Sequence, residues 1–407
     1  MRGRSLLLTV TFQIGGNRQV DRFRVVERAL RGAAPHDLLE AVRDTLTVHY
    51  DAVSVDLLVA DYAMTILQPV DALPYTADPI SVHTSAPGRA FGAQEAHVET
   101  DEAAGAVTVH LPVSVRGDRL GILTVRLPAD AYDSVTAREL EDVAEVLGHE
   151  IVVAERDTDL YLQARRADRL TLAAEMQWQL LPGRSCSRPE YELGAQLEPA
   201  YAIYGDNFDW STSADHLTLT VTNGMGEGIE AALLTNLAIN ALRNARRAGL
   251  SLPDQACLAD QAVYGHYRGD VHLSMLLLRF DLETGEAEVI DAGSPKMWRM
   301  RQGRAEAIEL EAQLPLGMFE DTLYATQRFH VEPGDRLLFV SDGVYNVASP
   351  AGERYSERAL TRAMASTRLL PPSQVPRAML HELAGHRGPI DAEDDAMIVC
   401  LDWHGRS

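Results

Sequence analysis

The sequence predicts an α+β protein built from more than one unit, and three observations carry that expectation. The chain has 407 residues, well beyond the roughly 150 of one ordinary domain. Two stretches of mixed strand and helix patterning flank a long helical stretch, with no internal repeat or low-complexity tract. The composition, 46% hydrophobic and 24% charged, is that of a globular chain. No apolar run approaches the ~20 residues that a membrane helix requires, so no membrane partner is expected.

Residues 1–32 open with "MRGRSLLLTVTFQIGG", whose apolar part is short, broken by Thr and Gln, and lacks a small-residue cleavage site. It reads as a strand or a poorly ordered N-terminal arm, not a signal peptide. Cys186, Cys257 and Cys400 are odd in number and far apart, which argues against a disulfide framework or a zinc site and for a cytoplasmic location. With 59 acidic against 37 basic side chains, the formal charge of −22 repels phosphate backbones, so no nucleic-acid partner is expected.

The first mixed region spans 33–135. "HDLLEAVRDTLTVHY" has apolar residues at helical spacing, "AVSVDLLVA" reads as a strand, and "AVTVHLPVSVRGDRLGILTVRLP" reads as two strands joined at Arg116–Gly117–Asp118. This hairpin, followed at once by "SVTARELEDVAEVLGHEIVVAE", resembles the closing half of a GAF domain, a small-ligand sensor and dimerisation module. The resemblance implies a GAF-like sensor but names no ligand, since no cysteine placed for a bilin or haem stands out.

A helical connector is expected over 136–181, opened by a capping box of Thr136 with Glu139. Leu140, Val143, Leu147, Ile151 and Ala154 recur at spacings of three and four, a loose heptad. Two readings remain open: a parallel helical pair making a homodimer, or amphipathic helices packed back on their own domains.

From 182 to 405, acidic residues fall at strand ends and turns in four places: "YGDNFD" (204–209), "TNGMGEG" (222–228), "FVSDGVYN" (339–346) and "DAEDDAMIVCL" (391–401). In each, Asp or Asn adjoins an apolar β-rich segment, the pattern of a carboxylate-lined cleft at a sheet edge. Taken alone, a pair such as Asp342–Gly343 is more often a plain turn.

Together with "EMQWQLLPG", "DAGSPKMW", "LPLGM" and "VEPGDRLLFVSDGVYN", these stretches resemble, over residues 175–403, the PPM-type (protein phosphatase 2C-like) phosphatases of the SpoIIE and RsbU class. The resemblance implies an α/β/β/α sandwich with two Mn²⁺ or Mg²⁺ ions that activate a water toward phosphoserine or phosphothreonine. Carried over by position, Asp206, Gly224, Asp342 and Asp394 would bind metal, with Asp395 the next candidate, and Asp206, Asn223 and Asp342 would form the catalytic set. The implied activity is a metal-dependent serine/threonine phosphatase, and the implied partner a phosphorylated anti-sigma-factor antagonist.

The sequence departs from that pattern where it matters most. The family's bridging Asp is Asn223 here, a neutral ligand that removes one negative charge from the cage. Asn207, Glu227 and Ser294 also depart, and Glu227 could restore a charge nearby. The alternative is therefore a pseudophosphatase that signals by binding protein. In "HELAGH", His381 and His386 are five residues apart and do not share a helix face, so they are read as surface histidines. Trp178, Trp210 and Trp298 are read as core or interface residues.

Overall fold

The structure is a computed structural model and describes residues 21–72, 79–199, 203–293, 295–355, 357–389 and 394–406. The first unit comprises α1 (Arg22–Gly32), α2 (Leu38–Tyr50), β1 (Ser54–Ala60), β2 (Ile66–Pro69), β3 (Ile80–Ser81) and α3 (Ala86–Ala93). It continues with β4 (His97–Asp101), β5 (Ala106–Val115), β6 (Asp118–Pro128), α4 (Ser134–Ala154) and α5 (Leu160–Ala164). Its strands form one antiparallel sheet of order β3-β2-β1-β6-β5-β4. The hairpin turn falls where the pattern puts it: Arg116 and Gly117 take φ of 51° and 89°, the left-handed values that a tight two-residue hairpin demands.

Two expectations about this part change. Residues 1–20 lie outside the described residues, but the rest of the expected arm is helical from Arg22. Asp21 caps α1 through the Arg24 N–H, and Val26 and Leu30 enter the core of the first unit. Thr136 is not the helix cap either. Asp133 accepts the N–H groups of Val135 and Thr136 at 3.0 and 2.8 Å, while Thr136 and Glu139 both receive the Arg22 guanidinium, at 3.4 and 2.7 Å.

The expected connector is three helices: α4, α5 and α6 (Leu172–Leu180), separated at 155–159 and 165–171. Leu140, Val143, Leu147, Ile151 and Ala154 are buried against the unit's own sheet, with Tyr161 and Ala164 beside them. The stripe read as a dimer seam is thus already covered by its own strands. A helix stripe of this width serves a core as well as a partner, and here the core takes it.

The second unit runs through β7 (Ser185–Arg188), β8 (Tyr191–Glu198), β9 (Asn207–Thr212), β10 (His216–Asn223), α7 (Gly228–Arg247), α8 (Leu252–Tyr267), β11 (Ser274–Asp281) and β12 (Glu286–Ala292). It closes with β13 (Lys296–Arg301), β14 (Arg304–Ala307), β15 (Gln327–His330), β16 (Arg336–Val340), α9 (Asp342–Tyr345), α10 (Glu357–Ser366), α11 (Val375–Arg387) and β17 (Ala396–Trp403). Two sheets result, of order β15-β12-β11-β10-β9 and β14-β13-β16-β17-β8-β7.

Strand alternation explains why they stack. Leu217, Leu219 and Val221 of β10 meet Leu337 and Phe339 of β16 and Met397, Val399 and Leu401 of β17 in one inter-sheet core. The opposite faces also carry apolar residues. Met275, Leu277 and Ile290 pack under α7 and α8, and Leu338, Val340 and Ile398 pack under α10 and α11. Sheets covered on both faces need the near-continuous apolar runs seen in "MLLLRF" and "RLLFV", and the α/β/β/α sandwich follows. Among the described residues no helix is long and apolar enough to cross a membrane.

The two units are packed together. Trp178 stacks on Tyr62 with ring centroids 4.8 Å apart, and the Arg184 guanidinium donates to the Tyr62 carbonyl at 2.5 Å.

Candidate functional site

One end of the sandwich gathers the four acidic stretches. β17 lies between β8 and β16, with Ala396 opposite Glu198 and Ile398 opposite Val340, so Asp394, Asp395, Ser341 and Asp342 meet where β8 exits. In the facing sheet Thr222 pairs with Asn207, which places Asp206 and Asn223 side by side. Packing here is tight enough to demand glycine. Gly205 has φ of 103°, and a Cβ on Gly224 would lie 2.6 Å from the Gly205 carbonyl oxygen. A Cβ on Gly343 would lie 1.9 Å from the Asp395 carbonyl oxygen.

Asp395 organises the loop before β9. Its Oδ2 accepts the N–H groups of Tyr204 at 2.9 Å and Asp206 at 3.2 Å, while Asp394 Oδ1 accepts the Asp395 N–H at 2.8 Å. Ser341 ties β16 to β17, its hydroxyl accepting the Met397 N–H at 3.0 Å and donating to the Asp395 carbonyl at 3.3 Å. From α6, Gln177 donates to the Asp206 carbonyl at 2.8 Å. Asp394 and Asp395 thus have different surroundings: Asp395 is fully buried and Asp394 is partly exposed.

The carboxylates converge closely enough to oppose one another's ionisation. Burial, then the charges of Asp395, Asp394 and Asp342, hold Asp206 well above the usual carboxylate range, with a Ser341 hydrogen bond acting the other way. Burial and Asp342 push Asp394 up to about 6, and burial pushes Asp395 up to about 7. Asp206 Oδ2 and Asp395 Oδ1 are buried without a hydrogen-bond partner. A proton on such oxygens removes the repulsion that the fold imposes.

Asn223 sits at the centre of the departure from the family pattern. Its side-chain amide nitrogen donates to Oδ1 of Asp342. A carboxylate at 223 would share a cation with Asp342, whereas the amide supplies a donor and occupies the oxygen itself. Glu227 is solvent-exposed at the start of α7. Ser294 lies outside the described residues, as do residues 391–393 of the last acidic stretch.

Among the described residues, no group of three or more His, Cys, Asp or Glu side chains is arranged to hold a metal ion. This overturns the expectation of bound Mn²⁺ or Mg²⁺, and with it the expectation of a metal-dependent serine/threonine phosphatase. The physical reason is local. The amide of Asn223 takes the place of the bridging carboxylate, and the remaining acids interact as a desolvated, proton-binding cluster.

Two further carboxylates hold the surroundings in place. Asp209, in the same "YGDNFD" stretch, is buried and ion-paired to Arg243 at 2.7 Å and Arg246 at 2.9 Å, clamping α7 to β9. Asp260 of α8 accepts the Gly317 N–H at 2.8 Å and the Tyr324 hydroxyl at 3.1 Å, anchoring "LPLGM". Arginines one helical turn apart at 243 and 246–247 were the sequence signal for the first; nothing local marks the second.

Residues 213–404 match the family described as Stage II sporulation protein E (SpoIIE). The second unit therefore has a phosphatase fold of the PPM, SpoIIE and RsbU class. The chain is similar to phosphoserine phosphatase RsbU of Bacillus subtilis (strain 168), at 23% identity over 234 residues, 57% of this chain and 68% of that protein. It is also similar to protein IcfG of Synechocystis sp., at 21% identity over 259 residues, 55% of this chain and only 40% of that protein. Among solved structures, the RsbU and RsbW domains of Rv1364c from Mycobacterium tuberculosis align with TM-score 0.47 and 22% identity, over 54% of this chain and 61% of that one. The SiaA-PP2C domain of Pseudomonas aeruginosa aligns with TM-score 0.49 and 20% identity, over 57% of this chain and 94% of that one.

Proposed function

We propose that the chain is a pseudophosphatase: a protein-binding signalling module that keeps the phosphatase fold and has a catalytically impaired centre. The single observation that carries this reading is the Asn223 amide donating to Asp342 where the family pattern places a carboxylate that bridges two cations. A cluster of acids without cations repels a phosphoryl dianion instead of drawing it in. The module accordingly favours the unphosphorylated form of its partner. The partner class implied by the likeness to RsbU is an anti-sigma-factor antagonist of bacterial partner switching.

The surface beside the acids suits protein contact. Ile229 and Leu233, four residues apart on α7, are 39% and 43% exposed and share one face of the helix, and Met225 in the turn before it is 46% exposed. Glu227 and Glu230 lie among them in the sequence, so a partner with an apolar patch bordered by basic residues complements this surface. The first unit, with its single antiparallel sheet, is the GAF-like regulatory part of this reading.

The test pairs the full chain with such an antagonist in its serine-phosphorylated and unphosphorylated forms, with Mn²⁺ present. The expected result is no phosphate release and tighter calorimetric binding of the unphosphorylated form, with binding lost in Leu233→Asp. Catalytic phosphate release by the unmodified chain would overturn the reading.

A further inference from the structure

Between the two units lies a cavity of about 500 Å³. Its walls come from the turn after β1, the start of α3 and Arg119 of β6 on one side, and from α11 with Glu198 of β8 on the other. Its charge is opposite to that of the chain as a whole. Arg89, Arg119 and Arg377 line it with His83 and His381, and Glu198 is the only acidic residue among the lining residues described, in a chain of formal charge −22.

Arg119 lines the cavity from β6. It is only 5% exposed, one guanidinium nitrogen donates to Ser373 Oγ at 3.1 Å, and its Nε is buried with no hydrogen-bond partner. Arg377, from the opposite wall, contacts the His83 ring at 3.1 Å and has no carboxylate within salt-bridge distance among the described ion pairs. The two guanidiniums oppose each other electrostatically. Burial and Arg377 together lower Arg119 to about 10, with Asp118 acting the other way, and burial lowers Arg377 against the opposing charges of Glu198 and Asp61. Arg89 at the rim is already paired with Glu99 at 3.3 Å. Two guanidiniums lining one cavity, one of them almost fully buried, are the donor half of an anion site.

We propose that this cavity binds a small phosphate-bearing molecule, held by Arg119 and Arg377 from opposite units. The space exceeds what one phosphate fills and lies within the range of small-ligand pockets, so the phosphate carries a further group. The apolar face of the first sheet is not a competing site, because Leu58, Met64, Leu67, Phe91 and Ile122 fill it. Occupancy would tie the first unit to α11, which packs on β8 and β17, the strands that lead to Asp206 and Asp395.

The test measures calorimetric binding of inorganic phosphate, pyrophosphate and a nucleoside monophosphate to the full chain at constant ionic strength, and repeats it with Arg119→Gln and Arg377→Gln. The expected result is one saturable site per chain for at least one of the phosphates, with the nucleotide or pyrophosphate tighter than phosphate. Each substitution should weaken binding on the order of tenfold, the effect of one charge-assisted hydrogen bond. No saturable binding of any of the three, or binding unchanged in a folded Arg377→Gln chain, would overturn the proposal. Since Arg377 is half-exposed, that second variant stays informative if Arg119→Gln fails to fold.

Discussion

Asn223 and Asp342, 119 residues apart in sequence, are joined by a hydrogen bond from the amide of one to the carboxylate of the other at the mouth of the sandwich. That bond fastens the end of β10, in one sheet, to the start of α9, which follows β16 of the other. Asn223→Asp replaces the donor with a second negative charge. In chelator-treated protein it should lower stability by about 1–3 kcal/mol, the penalty of losing a hydrogen bond to a charged group and facing two carboxylates. Chemical denaturation with the linear extrapolation checks this, and equal or higher stability would mean that the bond contributes nothing.

Asp394 and Asp395 impose a pH dependence of definite sign. Their folded-state pKa values, about 6 and about 7, lie above the unfolded value near 3.8. The native state therefore holds more protons than the unfolded chain between about pH 4 and 7, so their contribution is fully present at the acid end and lost as pH rises through 6 and 7. Asp395→Asn removes the titration and keeps an oxygen to accept the Tyr204 and Asp206 N–H groups. The variant's melting temperature should fall less steeply from pH 5 to 7.5 than that of the parent. Parallel profiles would contradict the assignment.

Gly343 admits no side chain. A Cβ there would lie 1.9 Å from the Asp395 carbonyl oxygen, and the backbone just before it is held by the Ser341 N–H bond to the Met397 carbonyl at 3.1 Å. Gly343→Ala should destabilise by at least about 1–3 kcal/mol, as overpacking does. Gly303→Ala would meet nothing within 4 Å, although its φ of 77° makes it strained for a different reason. Gly265, helical and open, is the neutral comparison.

Asp209 tests the clamp behind the site. Its carboxylate is buried between Arg243 and Arg246, whose side chains are 18% and 16% exposed. Asp209→Ala leaves both guanidiniums facing a void and should destabilise by about 3 kcal/mol, the lower end for a broken buried pair because both arginines retain some solvent. A loss below about 1 kcal/mol would place this pair with ordinary surface salt bridges.

What the sequence revealed follows from how local its signals were. Asp206, Asp342, Asp394 and the glycines beside them stand at strand ends in short motifs, and their convergence was readable because strand order brings strand ends together. The role of Asn223 was not, since whether an amide presents its oxygen or its nitrogen depends on the partner it meets after folding. The α4 stripe was legible as apolar, but Leu140, Val143 and Leu147 look the same whether they face a second copy or their own sheet. Arg119 and Arg377 are 258 residues apart, counted from their numbers, and no periodicity links them. The cavity they share exists only in the packed units.

In the pseudophosphatase reading the carboxylate cluster holds no cation while Asn223 is in place, and calorimetric titration of the chain with Mn²⁺ decides it. The expected result is no stoichiometric binding to the chain carrying Asn223, with binding gained in Asn223→Asp. One or two ions per chain bound to the unmodified protein, displaced by Asp342→Ala, would contradict it.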